Sequence, residues 1–148
     1  MSLTATARSI PGTLRQDILI DGQHRLTTDE PVRLGGEGTA PAPHELFPAA
    51  LAACVSTTLV MYARTKNWDL GEVTVDVDYD HESTPRRFDI DVRLTGDLSE
   101  EQLERLEKVA EACPIRRSVE AGIEFAERFH CHRSAELAIG SMIAPPSS

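Results

Sequence analysis

Two cysteines carry the clearest chemical signal in this chain of 148 residues. Cys54 lies in a run of small apolar residues, and Cys113 follows a highly charged segment and directly precedes Pro114. Neither belongs to a Cys-x-x-Cys pair, so a local redox or metal motif is excluded. If the fold brings the two thiols together, one can be oxidised to a sulfenic acid, and the other can resolve this sulfenic acid by forming a disulfide. Such a reversible two-thiol centre needs no cofactor.

A reactive Cys54 needs a neighbouring group that lowers the pKa of its thiol. The helix dipole fades within the first turn, and Cys54 lies six positions past Pro48, so a cation must supply this effect. An arginine is the best candidate, and Glu45 is a carboxylate that could hold its guanidinium in place. In one straight helix Glu45 and Cys54 would lie on opposite faces. Pro48 is tolerated only in a first turn, so Glu45 is predicted to lie in the turn before the helix.

The composition limits the class of protein. The length predicts a single domain over residues 1–148. The net charge of −9 argues against nucleic acid as a partner. No uninterrupted apolar run reaches the roughly 18 residues of a membrane helix, and the N-terminus has no apolar signal core, so a cytoplasmic protein without a membrane partner is expected. In that compartment a disulfide would be transient and catalytic.

The first half of the chain predicts a hairpin, a loop and a buried helix. Residues 13–20 and the stretch around residues 24–26 flank Asp21-Gly22, a dipeptide typical of tight hairpin turns. Residues 27–43 contain too many prolines and glycines for regular structure. From residue 48 to about residue 66 no breaker follows, and the small apolar side chains indicate a buried helix that a partner subunit could cover.

The second half of the sequence predicts two strands and a helix with a clear start signal. Apolar residues alternate with polar ones over residues 73–79 and 88–94, as in half-buried antiparallel strands. Ser99 and Gln102 form a capping box for a helix whose apolar stripe includes Cys113. Residues 123–127 could form a last short strand, although their polar positions do not exclude a helical turn. Because strands and helices do not alternate, the fold class is α+β. A dimer is expected because little else in the chain would cover the long helix of small residues.

The motifs together resemble one protein family. Residues 29–31, 35–36 and 38–54, with Met61-Tyr62 and Trp68, match the first signature of the OsmC/Ohr family (osmotically inducible protein C and organic hydroperoxide resistance protein), and residues 98–102 and 112–117 match the second. The resemblance covers roughly residues 14–127. It implies an intertwined homodimer with antiparallel sheets packed on a long buried central helix, two active sites at the subunit interface, and terminal extensions at about residues 1–12 and 130–148.

The resemblance also implies a role for each site residue. Cys54 would attack an organic hydroperoxide and Cys113 would resolve the sulfenic acid, while Glu45 would hold an arginine over the Cys54 sulfur. Arg25 is the first choice for this arginine and Arg33 the second. The implied activity is that of a thiol-dependent peroxidase that uses hydroperoxides and a dithiol reductant, lipoyl-type or other, and requires no cofactor or metal ion.

Two other functions stay open. The chain could be a thiol-disulfide redox protein, or a non-catalytic module that binds a small ligand and in which Cys54 is inert packing. His130-Cys131-His132 has the composition of a metal cluster. Adjacent residues do not converge easily on one ion, however, so no metal site is expected there.

Overall fold

A computed structural model describes residues 2–132 and shows an α+β fold with two antiparallel sheets and a long helix, as the sequence predicts. The elements in chain order are β1 (Ala5–Ser9), β2 (Gln16–Ile20), β3 (His24–Thr28), α1 (Leu46–Lys66), β4 (Val73–Asp80), β5 (Arg87–Leu94), α2 (Glu100–Glu111) and α3 (Pro114–Ala121). Two short 3-10 helices, Val32–Leu34 and Pro43–Glu45, lie between β3 and α1.

The N-terminal sheet has the strand order β1-β2-β3. The predicted hairpin is confirmed, because β2 and β3 pair from Gln16↔Thr28 to Ile20↔His24. Three residues, 21–23, connect the two strands. Asp21 and Gly22 both have positive φ, at 50° and 68°, and the Gln23 N–H donates to the Ile20 carbonyl at 3.0 Å to close the turn. Strand β1 lies within the stretch expected to be an extension. All five of its residues are exposed and none has a large apolar side chain, so its sequence shows no hydrophobic face by which it could be recognised.

The second sheet pairs β4 with β5 and covers one side of α1. The pairing runs from Val73↔Leu94 to Asp80↔Arg87, and the apolar positions of both strands pack against α1 and its neighbours. Helix α1 contributes one buried residue per turn to this core. The core residues are Leu51, Val55, Leu59, Ala63, Leu70, Leu106 and Cys113.

Helix α1 begins two residues earlier than predicted, at Leu46, and Pro48 lies in its first turn. The missing N–H of Pro48 costs nothing there, because the first N–H groups of a helix have no intrahelical acceptor. Glu45 is the last residue of the preceding 3-10 helix. The prediction that Glu45 lies in the turn before the helix is therefore confirmed.

The helical stretch Pro43–Lys66 is also long and apolar enough, by length and composition alone, to cross a membrane. This differs from the expectation above, which counted uninterrupted apolar residues, whereas the mean hydropathy over 18 residues is 1.7. The core helix of a soluble protein meets the same test. Only 22% of this window is buried, so the rest of the described chain leaves most of it uncovered.

The capping box of α2 is confirmed. The Gln102 N–H donates to Ser99 Oγ at 3.1 Å, and the Ser99 N–H donates to Gln102 Oε1 at 2.9 Å. Helix α2 ends at Glu111, and two residues connect it to α3. The sequence pattern did not predict α3. Pro114 is the first residue of α3, so the proline that indicated a helix end also begins a helix.

The predicted strand at residues 123–127 is wrong. This segment forms neither helix nor strand, and Phe125 is 85% exposed. A strand needs a neighbouring strand for its backbone hydrogen bonds, and none of the described strands pairs with this segment. The end of the chain, residues 133–148, lies outside the described residues.

Candidate active site

The structure brings Cys54 and Cys113 together. Cys54 lies on α1 between two core positions and packs, half-buried, against the core cluster that contains Cys113. Cys113 is 0% exposed and caps the N-terminus of α3. Its N–H donates to the Ala110 carbonyl at 3.2 Å, and its carbonyl accepts from the Arg117 N–H at 3.0 Å. The turn from α2 into α3 thus holds Cys113 under α1 with its thiol free.

The surroundings of Cys113 favour its protonated form. Burial raises the pKa of the Cys113 thiol, and the side-chain interaction with Cys54 raises it further. The backbone N–H groups of Ile115 and Arg116 act in the opposite direction, although the sulfur forms no full capping hydrogen bond with them. Burial prevails, so Cys113 is held as a neutral thiol beside the more accessible Cys54.

Glu45 lies at the edge of a surface cavity of about 640 Å³. Its carboxylate makes a weak capping contact, in which the Ala42 N–H donates to Glu45 Oε2 at 3.4 Å. Arg33 and Pro48 line the same cavity, as do His44 and residues of β4. The second-choice arginine therefore lies on the same side of the molecule as Glu45.

Arg25 lies elsewhere. It is on β3, where its guanidinium binds the Asp17 carboxylate at 2.8 Å and its side chain is 65% exposed. Asp17 and Arg25 occupy diagonal positions on neighbouring strands, which explains the pairing. Within one chain the structure does not bring Arg25 to the cavity of Glu45. The role of either arginine stays a prediction.

A third arginine was missed. The Nε of Arg15 is buried and has no hydrogen-bond partner among residues 2–132. A buried guanidinium nitrogen is costly unless an acceptor reaches it, so Arg15 is a further candidate for pairing with a carboxylate. No motif in the sequence separates Arg15 from the other N-terminal arginines.

Asp29 fixes the loop that carries Arg33. Its fully buried carboxylate accepts hydrogen bonds from Thr39 N (3.0 Å), Thr39 Oγ1 (2.8 Å), Glu30 N (2.8 Å) and Glu37 N (3.2 Å). These bonds, led by the Thr39 N–H, lower the pKa of Asp29 against the effect of burial. A Cβ at Gly36 would lie 1.9 Å from the Glu30 carbonyl, so this loop requires glycine there. Asp29 belongs to the motif at residues 29–31, but the residue types of that motif do not reveal this role.

An apolar cavity of about 360 Å³ lies between α1, β5 and α2. Its apolar lining includes Val55 and Leu59, and its polar lining includes Glu107 and Arg116. Neither Cys54 nor Cys113 lines this cavity. Within residues 2–132 no group of three His, Cys, Asp or Glu side chains could hold a metal ion.

Residues 36–128 match the model of the OsmC-like protein family. The chain is similar to a solved structure of a putative osmotic stress induced and detoxification response protein from Psychrobacter arcticus, with 26% identity over 79% of this chain and 87% of that one and a TM-score of 0.66.

Two further solved structures are similar. One is an organic hydroperoxide resistance protein OsmC from Legionella pneumophila, with 29% identity, coverage of 79% and 88%, and a TM-score of 0.55. The other is the organic hydroperoxide resistance protein OhrB of Bacillus subtilis, with 28% identity, coverage of 79% and 89%, and a TM-score of 0.51. No curated protein matches the chain.

The hydrogen bonds of Asp29 predict a pH-dependent stability. Because its pKa is lowered on folding, its contribution to the free energy of unfolding is fully present above the ordinary value of 3.8 and is lost as pH falls through the lower folded-state pKa. We expect Asp29→Asn to lower the free energy of unfolding at neutral pH and to weaken its decline on acidification. Denaturant unfolding between about pH 7 and about pH 3 measures both effects.

Asp17→Asn is the matched control, because it removes one charge from an exposed ion pair and should change stability little. Equal acid sensitivity of wild type and Asp29→Asn would contradict the assigned role of Asp29.

Proposed function

The chain belongs to the OsmC-like protein family, and we propose that it is a thiol-dependent peroxidase that reduces organic hydroperoxides to alcohols. The observation that carries this proposal is the contact between half-buried Cys54 and fully buried Cys113. Two similar structures belong to organic hydroperoxide resistance proteins, which supports the substrate class.

In the proposed reaction the Cys54 thiolate attacks the terminal oxygen of the hydroperoxide. An S–O bond forms, the O–O bond breaks, and the alkoxide leaves as the alcohol after taking a proton. The Cys113 thiolate then attacks the sulfenic sulfur of Cys54, an S–S bond forms, and hydroxide leaves as water. Since the pKa of Cys113 is raised, this second step should become faster as pH rises.

An arginine held by Glu45 would favour the Cys54 thiolate. Arg33 is the better candidate within one chain because it shares the cavity of Glu45. Arg25 would first have to break its ion pair with Asp17. Arg15 would need a hydrogen-bond acceptor that reaches its buried Nε. The guanidinium would also stabilise the alkoxide that leaves in the first step.

We propose a homodimer in which a partner subunit covers α1. The stretch that contains α1 is apolar but mostly unburied in one chain. The sheet of β1, β2 and β3 makes few contacts with the other elements of the same chain. A partner would bury both surfaces and enclose the active sites. A dithiol reductant, lipoyl-type or other, would regenerate the thiols, and the protein would act in the cytoplasm.

The apolar cavity of about 360 Å³ favours one competing function. A non-catalytic module could hold an apolar ligand there, with Cys54 as inert packing. Slow alkylation of Cys54 at neutral pH, together with tight binding of an apolar ligand, would favour that reading over the peroxidase.

The first test is turnover. The purified full chain should consume cumene hydroperoxide in the presence of dihydrolipoamide or dithiothreitol, and Cys54→Ser should reduce consumption to the background without enzyme, because the attacking sulfur is lost. Cys131→Ser is the matched control, since it removes an exposed thiol outside the site and should leave the rate unchanged. Equal consumption by wild type and Cys54→Ser would refute the proposal.

The second test compares the three arginines. Iodoacetamide alkylation of Cys54 at pH 7 reports the thiolate fraction when Cys113 and Cys131 are serine. We expect Arg33→Ala to slow the alkylation of Cys54 about tenfold, because a cation that favours the thiolate is lost, and Arg25→Ala, which removes only an exposed ion pair with Asp17, to change it little. Slower alkylation only in Arg25→Ala or only in Arg15→Ala would reassign the role to that residue.

A further inference from the structure

The two sulfurs differ in how an outside molecule can reach them. Cys54 is half-buried, whereas Cys113 is 0% exposed and belongs to the core with Leu51 and Val55. This shielding comes from elements of the same chain, since α1 packs against both α2 and α3. A partner subunit can only add to the burial. It can cover Cys54 further, but it cannot uncover Cys113.

We propose that an external thiol reductant attacks the oxidised protein at the Cys54 sulfur and never at the Cys113 sulfur, so that Cys113 is always the leaving group. The proposal rests on the proposed function for the existence of a Cys54–Cys113 disulfide. It adds which sulfur forms the mixed disulfide with the reductant.

The exchange is balanced for electrons and protons. The reductant thiolate gives its electron pair to Cys54 Sγ, a new S–S bond forms, and the Cys54–Cys113 bond breaks with its electron pair on Cys113. A second thiol of the reductant then attacks the reductant's own sulfur in the mixed disulfide, and Cys54 leaves as a thiolate. Both cysteines end reduced, and the dithiol is oxidised to its disulfide.

Attack along the S–S axis requires access behind the sulfur that is attacked. Cys54 is partly exposed, so an external thiol can approach its sulfur. Cys113 is 0% exposed, lies in the core and begins α3, so an external thiol has no open approach to its sulfur. This difference in access sets the direction of exchange.

The raised pKa of Cys113 acts against it as the leaving group, because a thiol of lower pKa leaves faster, so the proposed direction rests on access to the two sulfurs. The backbone N–H groups of Ile115 and Arg116 at the start of α3 favour the thiolate as it forms. Burial and the neighbouring Cys54 raise the pKa of Cys113, so the thiolate then takes up a proton. A neutral Cys113 is a poor nucleophile, which slows its return attack on the mixed disulfide.

The test uses the full chain with Cys131→Ser, which removes the exposed third thiol. Diamide, a chemical thiol oxidant, forms the Cys54–Cys113 disulfide without any hydroperoxide. Limiting glutathione is then added, exchange is quenched with acid, free thiols are alkylated under denaturing conditions, and peptides are mapped by mass spectrometry. Glutathione is expected on Cys54 at least about tenfold more often than on Cys113.

The same exchange in denaturant is the control, because unfolding exposes both sulfurs and should remove the preference. Glutathione on Cys113 in the folded protein, an equal distribution, or failure of diamide to link the two cysteines would each overturn the proposal. The failure of the peroxidase proposal is a separate result. It would appear as no consumption of hydroperoxide by a protein whose diamide-formed disulfide still exchanges at Cys54.

Discussion

The contact between Cys54 and Cys113 is the constraint on which the rest of the structure depends. It joins α1 to the turn between α2 and α3 across 59 positions of sequence. The two thiols differ in exposure although they are neighbours. The pair therefore combines one partly exposed thiol with one that the chain shields from solvent.

The elements around the thiols are fixed by local interactions. Ser99 and Gln102 set the start of α2, and Pro114 sets the start of α3, so Cys113 is held between two defined helix ends. Elsewhere in the chain, the buried carboxylate of Asp29 organises the loop that precedes α1 and carries Arg33. Leu51, Val55 and Leu59 anchor α1 in the core.

Much of this fold could be predicted because its signals are local. The alternation of apolar and polar residues predicted β4 and β5, and the capping box predicted α2. The Asp21-Gly22 dipeptide predicted the hairpin of β2 and β3. Strand β1 and the start of α3 lack such patterns. The segment at residues 123–127 has a strand-like pattern but no strand beside it among the described residues, since pairing is a long-range property that a pattern cannot supply.

The site was predictable in part for the same reason. Cys54 and Cys113 could be selected by type and by a family resemblance, and Glu45 by the helix start that Pro48 indicates. The choice of arginine could not be made, because it depends on which way the loop after β3 folds. That path is set by the hydrogen bonds of Asp29, which leave no periodic mark on the sequence.

The most direct test of the central claim is peptide mapping after one equivalent of cumene hydroperoxide has been added to the fully reduced protein. A redox pair built on the Cys54–Cys113 contact predicts a disulfide between these two residues, with Cys131 still free. Free thiols at both Cys54 and Cys113, or a disulfide between Cys54 and Cys131, would contradict it.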